Sequence, residues 1–158
     1  MDAFVQPLYE LADFDAIIRQ LKKPGIVQVS GCLDSQKAHF TNGLLREFPF
    51  RLIVAENDLK AKAFYEDFRL YDPEVLYYPA RDLIFYQADI HGNLLTRQRI
   101  QVLRALLERE EVTIVTSIDS CLDCLVPLAV WKEKVIKIRN DSEIDLDRMK
   151  RHLLELGY

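Results

Sequence analysis

Residues 25–38 read GIVQVSGCLDSQKA, and the order of residue types in this stretch decides the fold. Gly25 to Ser30 is a short run with two β-branched valines and an isoleucine, the composition of a strand. Gly31 opens a turn, and from about residue 35 to 47 the pattern is that of a helix that stops before Pro49. Strand, glycine-led turn and helix in that order begin a β-α-β unit.

The alternation continues downstream. Arg51 to Ala55 reads as a second strand. A helix follows with Asn57 as N-cap and Ala61, Phe64, Phe68 and Tyr71 on one stripe. Asp72-Pro73 ends it, and Glu74 to Tyr78 is a third strand. Pro79 to Asn93 is loop-like. Residues 94–109 form the longest helix, with Ile100, Leu103 and Leu107 inward and Gln98, Gln101 and Arg109 outward. Val112 to Thr116 is the fourth strand. This pattern predicts an α/β lobe: a doubly wound parallel sheet of four strands flanked by helices, without antiparallel pairing among them.

Upstream, residues 8–22 place Leu11, Phe14, Ile18 and Leu21 at helical spacing before Pro24-Gly25. Downstream, Trp131 to Arg139 alternates imperfectly, like an antiparallel strand. A helix capped near Asp145 carries Leu146, Met149, Leu153 and Leu156, with Gly157 as its C′ residue. The predicted organisation is an N-terminal helical arm over 1–24, an α/β lobe over 25–125, and the truncated start of a second α/β domain over 126–158. A strand and a helix bury no core alone, so the last stripe predicts exposed apolar surface and self-association of the chain.

Length and composition bound the function. A chain of 158 residues with 49% apolar and 29% charged residues is globular, not disordered. No apolar run reaches the roughly 18 residues of a membrane span. The N-terminus lacks signal-peptide features. With three cysteines, these observations predict a cytoplasmic protein with no membrane partner. Lysine and arginine number 21 against 25 acidic residues, so a free-standing nucleic-acid binder is disfavoured.

The leading chemical candidate is Gly31 to Ala38, placed where a P-loop belongs. Gly31 and Lys37 match the pattern G-x-x-x-x-G-K-[ST]; Gln36 replaces the second glycine and Ala38 the hydroxyl residue. A side chain at Gln36 stands where backbone must close on a phosphate. Ala38 lacks the oxygen that would hold Mg²⁺. The loop therefore reads as vestigial, and no cofactor or metal is assigned to these residues.

Other candidates carry a structural reading beside a functional one. Cys121 and Cys124 form a lone C-x-x-C, read as buried thiols. His39, His91 and His152 share no ligand spacing, and Asp82, Asp89 and Asp123 form no acid/base pair. Tyr77, Tyr78, Phe85 and Tyr86 could stack on bases or plug the sheet edge; the neighbouring Asp82 and Asp89 favour the second. Arg97, Arg99 and Arg104 read as solvated helix charges, with Arg104–Glu108 an i, i+4 pair.

Tyr78 to Asn93 (YPARDLIFYQADIHGN), its continuation Thr96 to Leu107 (TRQRIQVLRALL) and Val112 to Asp119 (VTIVTSID) closely resemble the N-terminal region of bacterial transcription-repair coupling factors. The arm, the degenerate P-loop and the closing LLELGY fit the same resemblance, which covers nearly the whole chain. It implies a module similar to the excinuclease B subunit, a helicase-like lobe that has lost its ATP site. The longer parent it implies is an ATP- and Mg-dependent DNA translocase that displaces stalled RNA polymerase from double-stranded DNA and recruits nucleotide-excision repair. The module's second domain would contact the excinuclease A subunit.

Only seven residues separate Tyr86 from Leu94, too few for the damage-probing hairpin of excinuclease B. On this resemblance the chain is expected to be an excised, non-catalytic scaffold fragment ending before the docking residues, and so to bind excinuclease A weakly. The alternative is a nucleotide-binding or helicase-type enzyme lobe, such as a divergent excinuclease B domain.

Overall fold

The computed structural model describes residues 3–80, 91–123 and 145–155, together with 125, 127, 129–131, 135 and 143. Contacts divide the chain into two compact units, Met1–Asp123 and Cys124–Tyr158.

The first unit opens with a 3₁₀ turn, Gln6–Glu10, and helix α1, Phe14–Leu21. The single predicted helix over 8–22 is thus broken, and Leu11 lies exposed in the break. Helix α2 spans Asp34–Leu45, strand β1 Phe50–Ala55, helix α3 Asp58–Phe68 and strand β2 Leu76–Tyr78. Helix α4 follows at His91–Glu108, strand β3 at Val112–Ser117 and the short α5 at Ile118–Cys121. Asn57 caps α3 as predicted, its side-chain oxygen accepting the Lys60 N–H at 2.9 Å. Asp72 closes the α3–β2 turn by accepting the Glu74 N–H.

The sheet has three parallel strands in the order β1-β3-β2. Leu52 and Leu76 flank Ile114, while Ile53 and Tyr77 flank Val115. The α3 crossover runs from β1 past β3 to β2, and the α4 crossover returns from β2 to β3. Right-handed connections in opposite directions place their helices on opposite faces. On one face Ala38 of α2 and Ala61 and Phe68 of α3 pack with Val75 and Val115. On the other, Val102 and Ala105 of α4 pack on Tyr78, Val112 and Ile114. The predicted α3 stripe holds, since Phe64 and Tyr71 line the first cluster.

Two predictions about this unit require correction. Gly25 to Ser30 is not a strand: it joins no ladder, and Ile26 is 95% exposed. An isolated extended segment gains no ladder bonds, whatever its residue types. Among the described residues the sheet therefore has three of the four expected strands. The buried face of α4 is also rotated. Arg99, Val102 and Ala105 are buried, Leu103 is half-buried, and Ile100 is exposed. Apolar residues surround α4 on most sides, so periodicity alone does not fix its face. The small Ala105 and the compact Val102 face the sheet.

The second unit contains helix α6, Leu146–Glu155, with Asp145 accepting the Asp147 N–H through its side chain. Met149 and Leu153 are half-buried, whereas Leu146 and Leu154 are exposed; Leu156 lies outside the described residues. Where an antiparallel strand was predicted from Trp131, the Val135 N–H instead donates to the Trp131 carbonyl in a helical bond. The rest of that segment is outside the described residues.

Gly43 sits in α2 where the N-terminal arm crosses it. A Cβ there would strike Leu8 Cδ1 and lie 2.9 Å from Phe14 Cζ. Phe14 is buried, with its ring against Tyr9 and Phe40, and has no room to yield. Gly43→Ala should therefore destabilise the lobe. Overpacking costs about 1–3 kcal/mol, helix propensity returns about 1 kcal/mol, and a lowered urea midpoint at unchanged m-value measures the net loss.

Candidate functional site

Gly31 adopts φ +87°, a left-handed conformation that suits glycine, and no atom lies within 4 Å of where a Cβ would stand. The glycine thus serves the turn rather than a close approach. The turn delivers Leu33, in extended conformation, to the N-cap of α2. Gln36 then folds back, and its side-chain oxygen accepts the Leu33 N–H at 3.2 Å. This donor is one of those a phosphate would need.

Lys37, the remaining cation of the motif, is tied to Asp34 at 2.6 Å. Both groups are solvent-exposed. The hydrogen bond and charge of Lys37 hold the Asp34 carboxyl below its usual range, and Asp34 raises the Lys37 ammonium in return. Ala38 is 4% exposed and belongs to the apolar cluster with Ala61, Phe68 and Val115. A hydroxyl at this position would enter that cluster rather than face a metal. Gly31, Gln36, Lys37 and Ala38 are thus brought together as the sequence places them, but ATP and Mg²⁺ do not fit the groups presented there.

A second polar group gathers at the C-terminal ends of β2 and β3. Asp58, the first residue of α3, accepts the Ala80 N–H at 3.2 Å and reaches the Ser117 hydroxyl at 3.5 Å. Ser117 caps α5 and shares a 2.9 Å bond with Ser120. Both serines are buried, with no histidine against them among the described bonds, so they hold the turn. Thr116 donates to the Tyr78 carbonyl. The Tyr77 hydroxyl donates to the Asp58 carbonyl at 3.4 Å; burial first, and then Asp58, push its ionisation well above the usual phenol range.

Arg99 completes this edge. It is 6% exposed, donates to the Pro79 carbonyl at 2.8 Å and pairs with Asp123 at 2.8 Å. Its guanidinium lies 4.2 Å from the centre of the Tyr78 ring. The sequence reading placed Arg99 in solvent, and this is overturned. The spacing of Arg99 with Val102 and Ala105, at i, i+3 and i+6, was the signal that could have found it. Arg97 is exposed, and Arg104 pairs with Glu108 at 2.7 Å as predicted.

The remaining candidates scatter. Tyr77 and Tyr78 point to opposite faces of the sheet and are part of its two cores. Phe85, Tyr86, Asp82 and Asp89 lie outside the described residues. Cys121 is exposed, correcting the buried thiol expected there, because it ends the short surface helix α5. Cys124 is outside the described residues, and Cys32 is a free, half-buried thiol. His39 stacks on Tyr71 and bonds the Phe4 carbonyl, fastening the arm. The His91 and His152 side chains are not described. Among the described residues no cluster of three or more metal-ligating side chains occurs, and no helix is long and apolar enough to cross a membrane.

No family model matches the chain. It is similar to the transcription-repair-coupling factor of Bacillus subtilis (strain 168), 28% identical over 163 residues, covering 100% of this chain and 14% of the relative. UvrABC system protein B of Treponema denticola is 28% identical over 142 residues, covering 90% of this chain and 20% of the relative. The same-named protein of Anaplasma phagocytophilum is 31% identical over 122 residues, 68% of this chain and 18% of that protein. The chain therefore spans a fifth or less of these relatives. Homologues of both names cover most of it, as the sequence resemblance implied.

The Arg99 contacts predict a specific pattern. Arg99→Ala leaves the Asp123 carboxylate and the Pro79 carbonyl without their partner and should cost about 3–5 kcal/mol. Arg99→Lys should recover only part of this, since an ammonium cannot span both acceptors as the planar fork does. Urea unfolding of the three proteins checks the order.

Proposed function

We propose that this chain is a non-catalytic, UvrB-like scaffold module of the transcription-repair coupling kind, working in nucleotide-excision repair. The observation that carries the reading is the self-satisfied phosphate loop. Gln36 occupies a loop donor, Asp34 occupies Lys37, and Ala38 is spent on the core. The similarity to both transcription-repair coupling factors and UvrB supports the assignment to this repair system.

In this reading the lobe contributes a rigid surface. The translocation, RNA polymerase displacement and DNA binding that the resemblance implies reside elsewhere in a longer polypeptide, together with its ATP and Mg²⁺. Contact with an excinuclease A-type subunit is assigned to the second domain that residues from about 126 begin, through residues beyond those of this chain. Among the described residues of the loop, Lys37 is already paired with Asp34 and Ala38 offers no hydroxyl to a metal, which supports this reading.

The test is isothermal titration of the chain with Mg-ATP beside a phosphate-release assay. The expected result is no micromolar binding and no release above the buffer blank. Micromolar affinity that disappears in Lys37→Ala would replace this reading with that of a nucleotide-binding lobe.

A further inference from the structure

We infer that residues 118–123 form a strap, closed on the lobe by the Arg99–Asp123 pair, whose opening moves the point where the chain leaves the lobe from residue 123 back to residue 117. The first compact unit ends at Asp123. Strand β3 ends at Ser117, and between the two lie only the short helix α5 and its C-cap, Leu122.

The segment buries no apolar side chain. Ile118 and Leu122 are 54% and 79% exposed, and Asp119 and Cys121 also face solvent. Ser120 is buried, but it is polar and bonds the Ser117 hydroxyl at 2.9 Å. A helix of four residues has no stability of its own. What seats it on the lobe is therefore a polar contact near each end, Ser120 on Ser117 and Asp123 on Arg99.

The closing contact is separable. Arg99 meets both the Pro79 carbonyl and Asp123 through one nitrogen, Nη1, and its Nη2 makes no hydrogen bond among the described residues. The pair thus falls short of the two-pronged arginine–carboxylate fork. When Asp123 leaves, Arg99 keeps the Pro79 carbonyl and the Tyr78 ring and exchanges the carboxylate for water, so no buried charge is stranded. The sheet does not depend on the strap. The ladders of β3, the bonds of Thr113 and Thr116, and the Ser117–Asp58 contact all lie before residue 118.

Segments with few buried apolar contacts open locally while the core stays folded. Six residues released from the lobe add at most about 20 Å of extended chain. The strap is thus a tether of two lengths, short when Asp123 is paired with Arg99 and long when it is not.

Hydrogen exchange of the full chain, read by mass spectrometry in rising sub-denaturing urea, tests this. In the wild type the amides of 119–123 should exchange through an opening with little urea dependence. Those of β3 should exchange only through global unfolding, with a steep dependence. Asp123→Asn keeps the shape and removes the charge, and should speed exchange over 119–123 by about tenfold or more while β3 keeps its steep urea dependence. Leu122→Ala, at an exposed position of the same strap, should leave the rate unchanged. The wild-type comparison decides the matter if Asp123→Asn does not fold. Strap amides that exchange only together with β3, an unchanged rate in Asp123→Asn, or an equal acceleration in Leu122→Ala overturns the inference.

Discussion

Strand β3 is the element against which the rest of the lobe is registered. All six of its residues are buried and five are β-branched, and Val115 and Ser117 have no solvent exposure at all. Burial on both faces favours β-branched residues, which stack closely on a pleated surface. The two buried threonines are tolerated because each is bonded. Thr113 donates to Asp72 at 2.6 Å and accepts from Arg51 at 3.2 Å, while Thr116 donates to the Tyr78 carbonyl. Each threonine thereby fastens β3 to a neighbouring part of the sheet, one toward β1 and the α3–β2 turn, the other to β2.

The burial of β3 also governs the phosphate loop. Val115 shares its cluster with Ala38, so the helix that begins at the loop is seated on the central strand by the residue that would otherwise offer a hydroxyl. In a working P-loop that position faces the metal. Here the first turn of α2 presents a methyl group to an apolar core, and Gln36 and Asp34 take up the remaining polar groups of the turn. The two departures from the motif are consequently parts of one arrangement, in which the loop completes itself without a ligand.

The legibility of the chain followed the strength of each local signal. Asn57 before a clean apolar stripe located the start of α3, because a cap and a one-sided pattern agree there, whereas its end falls at Phe68, short of the Asp72-Pro73 stop. β1 and β3 were legible for their β-branched composition. The turn from Gly31 into α2 was legible because its residues are consecutive. The strand over 25–30 failed because ladder bonds depend on a neighbour that local sequence does not encode. The face of α4 failed because apolar residues occur around most of its circumference, leaving the choice to packing. Arg99 was hidden for the same reason: its three partners, Tyr78, Pro79 and Asp123, lie far from it along the chain.

In parallel sheets ligands bind beyond the carboxyl ends of the strands, and at this edge that region is closed by the chain itself. Asp58 is engaged by Ala80 and Ser117, Ser120 by Ser117, and Arg99 by Pro79 and Asp123. Each bond satisfies a group that would be costly to leave buried alone. Opening the edge for a ligand would require breaking several of these contacts together, including a charged pair whose arginine has almost no access to water. The same closure holds the carboxyl ends of β2 and β3, the start of α3 and, with the strap closed, α5 in one fixed arrangement.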